Sequence, residues 1–222
     1  MEIFPIMFSS IKSILLPDAG QNNRFAVSGV ILLLAASALS LLGASLLMPE
    51  SYSWLSNTTS ESAAQGVEGA WLARLGFLEF GLAVLWLATS MRAVWARGAK
   101  WLHAAFGIFM LATAAFSHKP WLANVPFDHV EDFLHSFTAT AMGFAFSLGV
   151  FVRLLQRDRH DFYNRLYDIA ALATATIIPI LMIILPTIDG LIQRLMFVIA
   201  YLWYGNEALQ IQVSGICKAQ AK

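Results

Sequence analysis

The side chains best equipped for chemistry gather in one stretch. His118 is followed by Asp128, His129, Glu131, Asp132 and His135. Asp132 and His135 stand at i and i+3, so a helix would carry both on one face. Imidazole and carboxylate are groups that zinc accepts, and a hydrolytic zinc takes three protein ligands plus an open position for water. His118, Asp132 and His135 could supply those ligands, with Glu79 as the catalytic base. No HExxH pattern accompanies them, and the ligands would come from different elements, His118 from one and Asp132 with His135 from another. The competing reading is structural. Asp128, Glu131 and Asp132 suit a helix N-terminus, and His135 would then donate to a neighbouring segment. His118 and His135 are also the histidine pair at matched depth that haem ligation would require.

Two carboxylates stand inside apolar stretches. Glu79 lies eight residues after Trp71, about 12 Å along a helix. A charge at the centre of a spanning helix costs at least about 2.5–3.5 kcal/mol, so Glu79 should face the protein interior and find a partner such as Arg74 or a histidine. Glu207 sits near the opposite end of its stretch, beside Tyr204 and Asn206. No lysine falls within an apolar stretch, which argues against a retinal Schiff base. Cys217 is the one cysteine, so neither an internal disulfide nor a multi-cysteine metal centre can form in one chain.

The elements that must position these groups are membrane helices. Of 222 residues, 58% are hydrophobic and 13% charged, whereas soluble domains carry about 25% charged residues. The excess apolar surface needs lipid. About 20 apolar residues span a bilayer as a helix, and six segments meet or approach that length: 25–48, 71–91, 101–117, 131–154, 169–187 and 191–213. Pro49, the 92–100 stretch, Pro120 with Pro126, the 157–165 stretch and Asp189-Gly190 separate them. Pro179 and Pro186 should bend the fifth.

Eleven lysines and arginines fall on one side of this arrangement. Only Arg74, Lys119 and Arg194 fall on the other. The basic side is therefore cytoplasmic. The expected fold is an all-α integral membrane protein, a six-transmembrane-helix bundle with cytoplasmic N and C termini. Residues 1–24 would form a cytoplasmic segment with a short interfacial helix, 25–213 the membrane domain and 214–222 a cytoplasmic tail. On this topology Glu61, Glu79, His118, Asp128, His129, Asp132 and His135 share the outer half. The hydroxyl-rich segment from Ser51 to Glu61 could cover the outer mouth. Small residues on the first segment (Gly29, Ala36, Ser40, Gly43) and on the fourth (Ser136, Ala139, Thr140, Gly143, Ser147) read as packing faces. Zero formal net charge gives no sign of a nucleic-acid partner.

Two blocks carry a family resemblance. One runs from Tyr52 through the Ser-Asn-Thr-Thr-Ser-Glu loop, Gly66 and Ala70-Trp71-Leu72 to Leu75-Gly76-Phe77 and Gly81. The other joins Phe127-Asp128 to Leu134-His135-Ser136, Ala139-Thr140-Ala141 and Gly143-Phe144-Ala145-Phe146. In these, and in the order of its spans, the chain resembles the bacterial membrane proteins of domain-of-unknown-function family 998. The resemblance implies a six-helix protein of the bacterial cytoplasmic (inner) membrane, brings no established activity, and draws attention to Glu61, Asp128 and His135. A remoter likeness to membrane proteins that include lipid-remodelling factors points toward lipid. The expected function is a polar site at the outer mouth that binds lipid, or hydrolyses or remodels it with a divalent metal such as zinc. The alternative is a non-catalytic accessory subunit or scaffold that partners other membrane subunits. Transport is a third reading, in which Glu79 and Glu207 relay protons.

Overall fold

A computed structural model describes residues 19–91, 94–122 and 125–220; for 19–23 and 212–220 it gives the backbone path alone. The interfacial helix expected in residues 1–24 falls almost wholly outside the described residues. Six α-helices account for most of the rest: α1 (Ala19–Ala44), α2 (Ala70–Ser90), α3 (Arg97–Ala115), α4 (His129–Gln156), α5 (Phe162–Ile184) and α6 (Asp189–Gln220). Short 3-10 turns lie at Ser45–Leu47, Glu61–Ala63 and Pro186–Ile188. No strand occurs among the described residues.

The helices match the six expected segments, with shifted ends. Helix α5 starts at Phe162, so Asp168 lies inside it and is fully buried. Helix α6 continues to Gln220, through most of the stretch expected to be a tail. Pro179 is inside α5, but Pro186 opens a 3-10 turn after that helix has ended. It stops the helix rather than bending it, as a residue without a backbone donor readily does. Gly190 belongs to the first turn of α6 and not to a free tight turn.

Helices α1, α2, α4 and α5 are long and apolar enough to cross a membrane. Helix α3 begins with Arg97 and Lys100, and α6 carries Gln193, Arg194, Asn206, Glu207 and Gln210, which dilute their apolar content. Large apolar side chains such as Phe25, Leu39, Trp71, Phe144 and Ile183 point outward. A surface of that kind belongs in lipid, and the chain is a membrane protein.

Each helix packs against the next, and α6 returns to α1, closing a ring. Aromatic side chains fill the centre: Phe80 stacks on Tyr201 with centroids 4.5 Å apart, and Tyr204 meets Trp203 edge-on at 5.0 Å. Helices α2 and α3 approach closely. A Cβ on Gly81 would lie 2.9 Å from the Gly107 carbonyl oxygen, and one on Gly107 would lie 3.0 Å from that of Gly81. Small residues permit such backbone contact without bulky side chains between. Helix α5 is the loosest member, with three buried residues in its length of 23.

Candidate functional site

At one end of the ring, hereafter the cap end, the 49–69 segment folds over the bundle. Arg194, on the first turns of α6, holds it in place. Its Nη1 donates to the carbonyl oxygens of Trp54 and Asn57, both at 2.9 Å, and its Nη2 donates to Tyr52 Oη at 2.5 Å. Burial raises the Tyr52 phenol above its ordinary pKa, opposed by the Arg194 charge. The phenol therefore stays protonated at neutral pH and can donate to the Thr58 carbonyl oxygen at 3.2 Å. The Thr59 amide donates to Gln193 Oε1 at 2.7 Å, and the Leu191 amide to the Leu55 carbonyl at 3.0 Å. Gln65 ties this segment to the α3–α4 connection, donating to the Ser117 and Asp128 carbonyls and accepting from the Asp128 amide. The hydroxyl-rich loop thus does cover the mouth.

The structure brings His118, Asp132 and His135 together. Asp132 Oδ1 lies 2.7 Å from His118 Nδ1 and accepts the Lys119 amide at 2.8 Å. The His118 and His135 rings stack at 5.3 Å. His135 is buried, and its Nδ1 donates to the Phe116 carbonyl at 2.9 Å. In a neutral ring that bond selects the Nδ1–H tautomer and leaves Nε2 as an acceptor. Among the described residues no group of three His, Cys, Asp or Glu side chains is arranged to hold a metal ion. Asp128 caps α4, accepting from the Val130 and Glu131 amides at 2.7 and 3.1 Å. Glu131 accepts the Ser117 amide at 2.9 Å. His129 packs on Phe127, and Glu61 accepts from the Thr58 amide and hydroxyl.

Glu79 stands apart from these. Its carboxylate accepts from Ser40 Oγ on α1 at 2.9 Å, beside a second contact in which Ser37 Oγ meets Tyr201 Oη at 2.6 Å. This carboxylate thus secures α1 to α2. His135→Ala removes a buried hydrogen bond and a ring stack, and should cost about 1–3 kcal/mol. Thermal unfolding in mild detergent checks this, and elemental analysis of the same samples reads whether the histidine also holds an ion.

Below the cap lies a cavity of about 550 Å3 bounded by α2, α3, α4, α5 and α6. Phe77, Phe80, Phe106, Phe146 and Phe197 form its inner wall. On its other side, Thr140, Gly143, Thr176 and Pro179 line it and are exposed. The cavity therefore opens sideways between α4 and α5. The small-residue stripe of α4 is not a packing face here: a Cβ on Gly143 would meet nothing within 4 Å. The stripe on α1 does pack, with Gly29 against the Trp86 ring and Ser40 on Glu79.

The family profile described as protein of unknown function (DUF998) matches residues 24–208. The chain belongs to that family. No curated protein and no solved structure matches it. The matched stretch of this DUF998 protein contains the cap, the cavity and one further constellation that sequence reasoning missed.

That constellation is a buried charge network at the opposite end of the DUF998 bundle. Glu207, fully buried, accepts from Trp95 Nε1 at 2.5 Å, from Arg153 Nε at 3.0 Å and from Arg157 Nη2. Arg157 also forks onto Asp168, Nε to Oδ2 at 2.8 Å and Nη2 to Oδ1 at 3.2 Å. Trp203 Nε1 completes Asp168 at 2.8 Å. Two cations and two anions are thus balanced and saturated with donors. The network leaves no reactive carboxylate open and clamps α4, α5 and α6 together. A signal for it existed: Arg153 and Arg157 are an i, i+4 pair on one helix face, and Glu207 needed a cation.

Proposed function

We propose that this protein crosses a bacterial cytoplasmic membrane six times, with both ends in the cytoplasm, and holds a lipid in its lateral cavity. The closed ring supports the span count, because α3 and α6 lie between neighbours that are long enough to cross. An even number of crossings returns both ends to the side rich in lysine and arginine. Cys217 is then cytoplasmic, and a membrane-impermeant maleimide should label it in inverted vesicles but not in intact cells. Labelling of intact cells would refute the orientation.

The lipid reading rests on the cavity. Its volume of about 550 Å3 falls in the range of about 300–1,000 Å3 typical of small-molecule sites. Its wall is aromatic and aliphatic, and its opening faces the bilayer. A hydrocarbon chain could move from the membrane into it without crossing water. Gly143→Phe would fill the space with little strain on the fold, since nothing stands where its Cβ would go. Native mass spectrometry of the purified Gly143→Phe protein should show lipid occupancy falling severalfold, with the unfolding midpoint nearly unchanged. Undiminished occupancy would refute the reading. The His118–Asp132–His135 group lies outside the cavity lining, so binding rather than hydrolysis is the function favoured here.

A further inference from the structure

The polar groups in the cavity wall are unevenly engaged. Thr140 Oγ1 donates to the Ser136 carbonyl at 2.8 Å, Ser147 Oγ to that of Gly143 at 2.9 Å and Thr176 Oγ1 to that of Leu172 at 2.9 Å. Thr113 Oγ1 donates to Thr138 Oγ1 at 3.0 Å. Each of these hydroxyls has spent its proton within the protein, so the membrane-deep wall asks nothing polar of a ligand. Two lining residues differ, and they sit side by side at the cap end. Ser60 Oγ has no partner among the described residues. Gln193 engages its Oε1 with the Thr59 amide, and its Nε2 donors have no partner among the described residues.

Charge narrows the choice further. None of the described residues lining the cavity is ionisable. Arg194, next to Gln193 in sequence, is committed to the carbonyls of Trp54 and Asn57 and to Tyr52. A buried anionic or cationic head would thus lack a counter-charge, which apolar surroundings penalise strongly. A neutral head with a hydroxyl or carbonyl oxygen would instead be met by Gln193 Nε2 and Ser60 Oγ.

We propose that the resident ligand is an uncharged amphiphile, a single hydrocarbon chain ending in a hydroxyl or carbonyl group, held by its head between Ser60 and Gln193. This rests on the lipid-binding reading above and adds the chemistry of the head. The same detergent-purified full chain is equilibrated with oleyl alcohol or with oleate, at an alkaline pH where the carboxylate is ionised. The two probes share chain length and differ in head charge. Native mass spectrometry should report oleyl alcohol bound at least about tenfold more tightly than oleate.

Gln193→Glu keeps the oxygen that accepts the Thr59 amide and removes the donor. With Ser60→Ala it should lower oleyl alcohol affinity about tenfold, while Gly143→Phe abolishes binding of both probes. Equal binding of the two probes by the parent protein, or unchanged alcohol affinity in the Ser60→Ala/Gln193→Glu variant, would overturn the head assignment and leave the cavity reading standing. Failure of the parent to bind either probe would overturn both.

Discussion

Replacing Arg157 with methionine is expected to lower the stability of the protein by about 3–5 kcal/mol, the usual cost of breaking a buried ion pair from one side. Arg157 is the cation shared by Asp168 and Glu207. Without it, Arg153 remains for Glu207, and Asp168 keeps only the Trp203 indole. A fully buried carboxylate with one neutral donor is poorly solvated, and helix α5 has few other contacts to hold it. Thermal unfolding in mild detergent, followed by tryptophan fluorescence, reads the loss, since Trp95 and Trp203 both donate into the network. Adding Asp168→Leu to Arg157→Met should recover part of that loss, because the uncompensated charge disappears and an apolar contact replaces it. A double variant less stable than the single one would contradict this account. So would an Arg157→Met protein that melts like its parent.

That network also marks where sequence reading stopped. The six helices were legible because apolar length is a property of whole segments and survives any error in packing. Asp128 as a capping residue was legible for the same reason: its partners are two and three residues away. Asp168 was not, because it lies at the edge of an apolar run, where a carboxylate reads as an ordinary interfacial charge. Only the approach of α4 and α6 makes it buried. The same limit governs the candidate site. The proximity of His118, Asp132 and His135 could be inferred from neighbouring spans that meet at one loop. Glu79 could be given a position along its helix, but that position says nothing about which way a helix faces, and it turned to Ser40 on α1. The small stripe of α4 illustrates the point again. Composition shows that close approach is allowed, and the loose attachment of α5 leaves that space as a cavity rather than filling it with a helix.

The cap gives the second large effect. Gly190→Val should detach the 49–69 segment from α6. A Cβ at Gly190 would stand 2.2 Å from the Asn57 carbonyl oxygen and 2.7 Å from that of Trp54, and neither backbone atom can rotate aside as a side chain could. These are the same carbonyls that Arg194 Nη1 grips. Overpacking costs about 1–3 kcal/mol, and each hydrogen bond to a charged group adds about 1.5–3 kcal/mol when lost. The substitution should therefore exceed the local strain alone. Its readout is regional: protease added from the cap side should cleave the 49–69 segment many times faster than in the parent, whereas Arg157→Met, whose network lies at the far end, should leave cleavage of that segment nearly unchanged. Gly143→Val is the control, a glycine-to-valine change where no atom stands in the way, and it should leave cleavage unchanged. Because Thr59 and Ser60 move with the segment, the Gly190→Val protein should also lose its hold on the ligand head at Gln193. Rapid cleavage with undiminished oleyl alcohol binding would separate the cap from the site and show that Gln193 alone suffices.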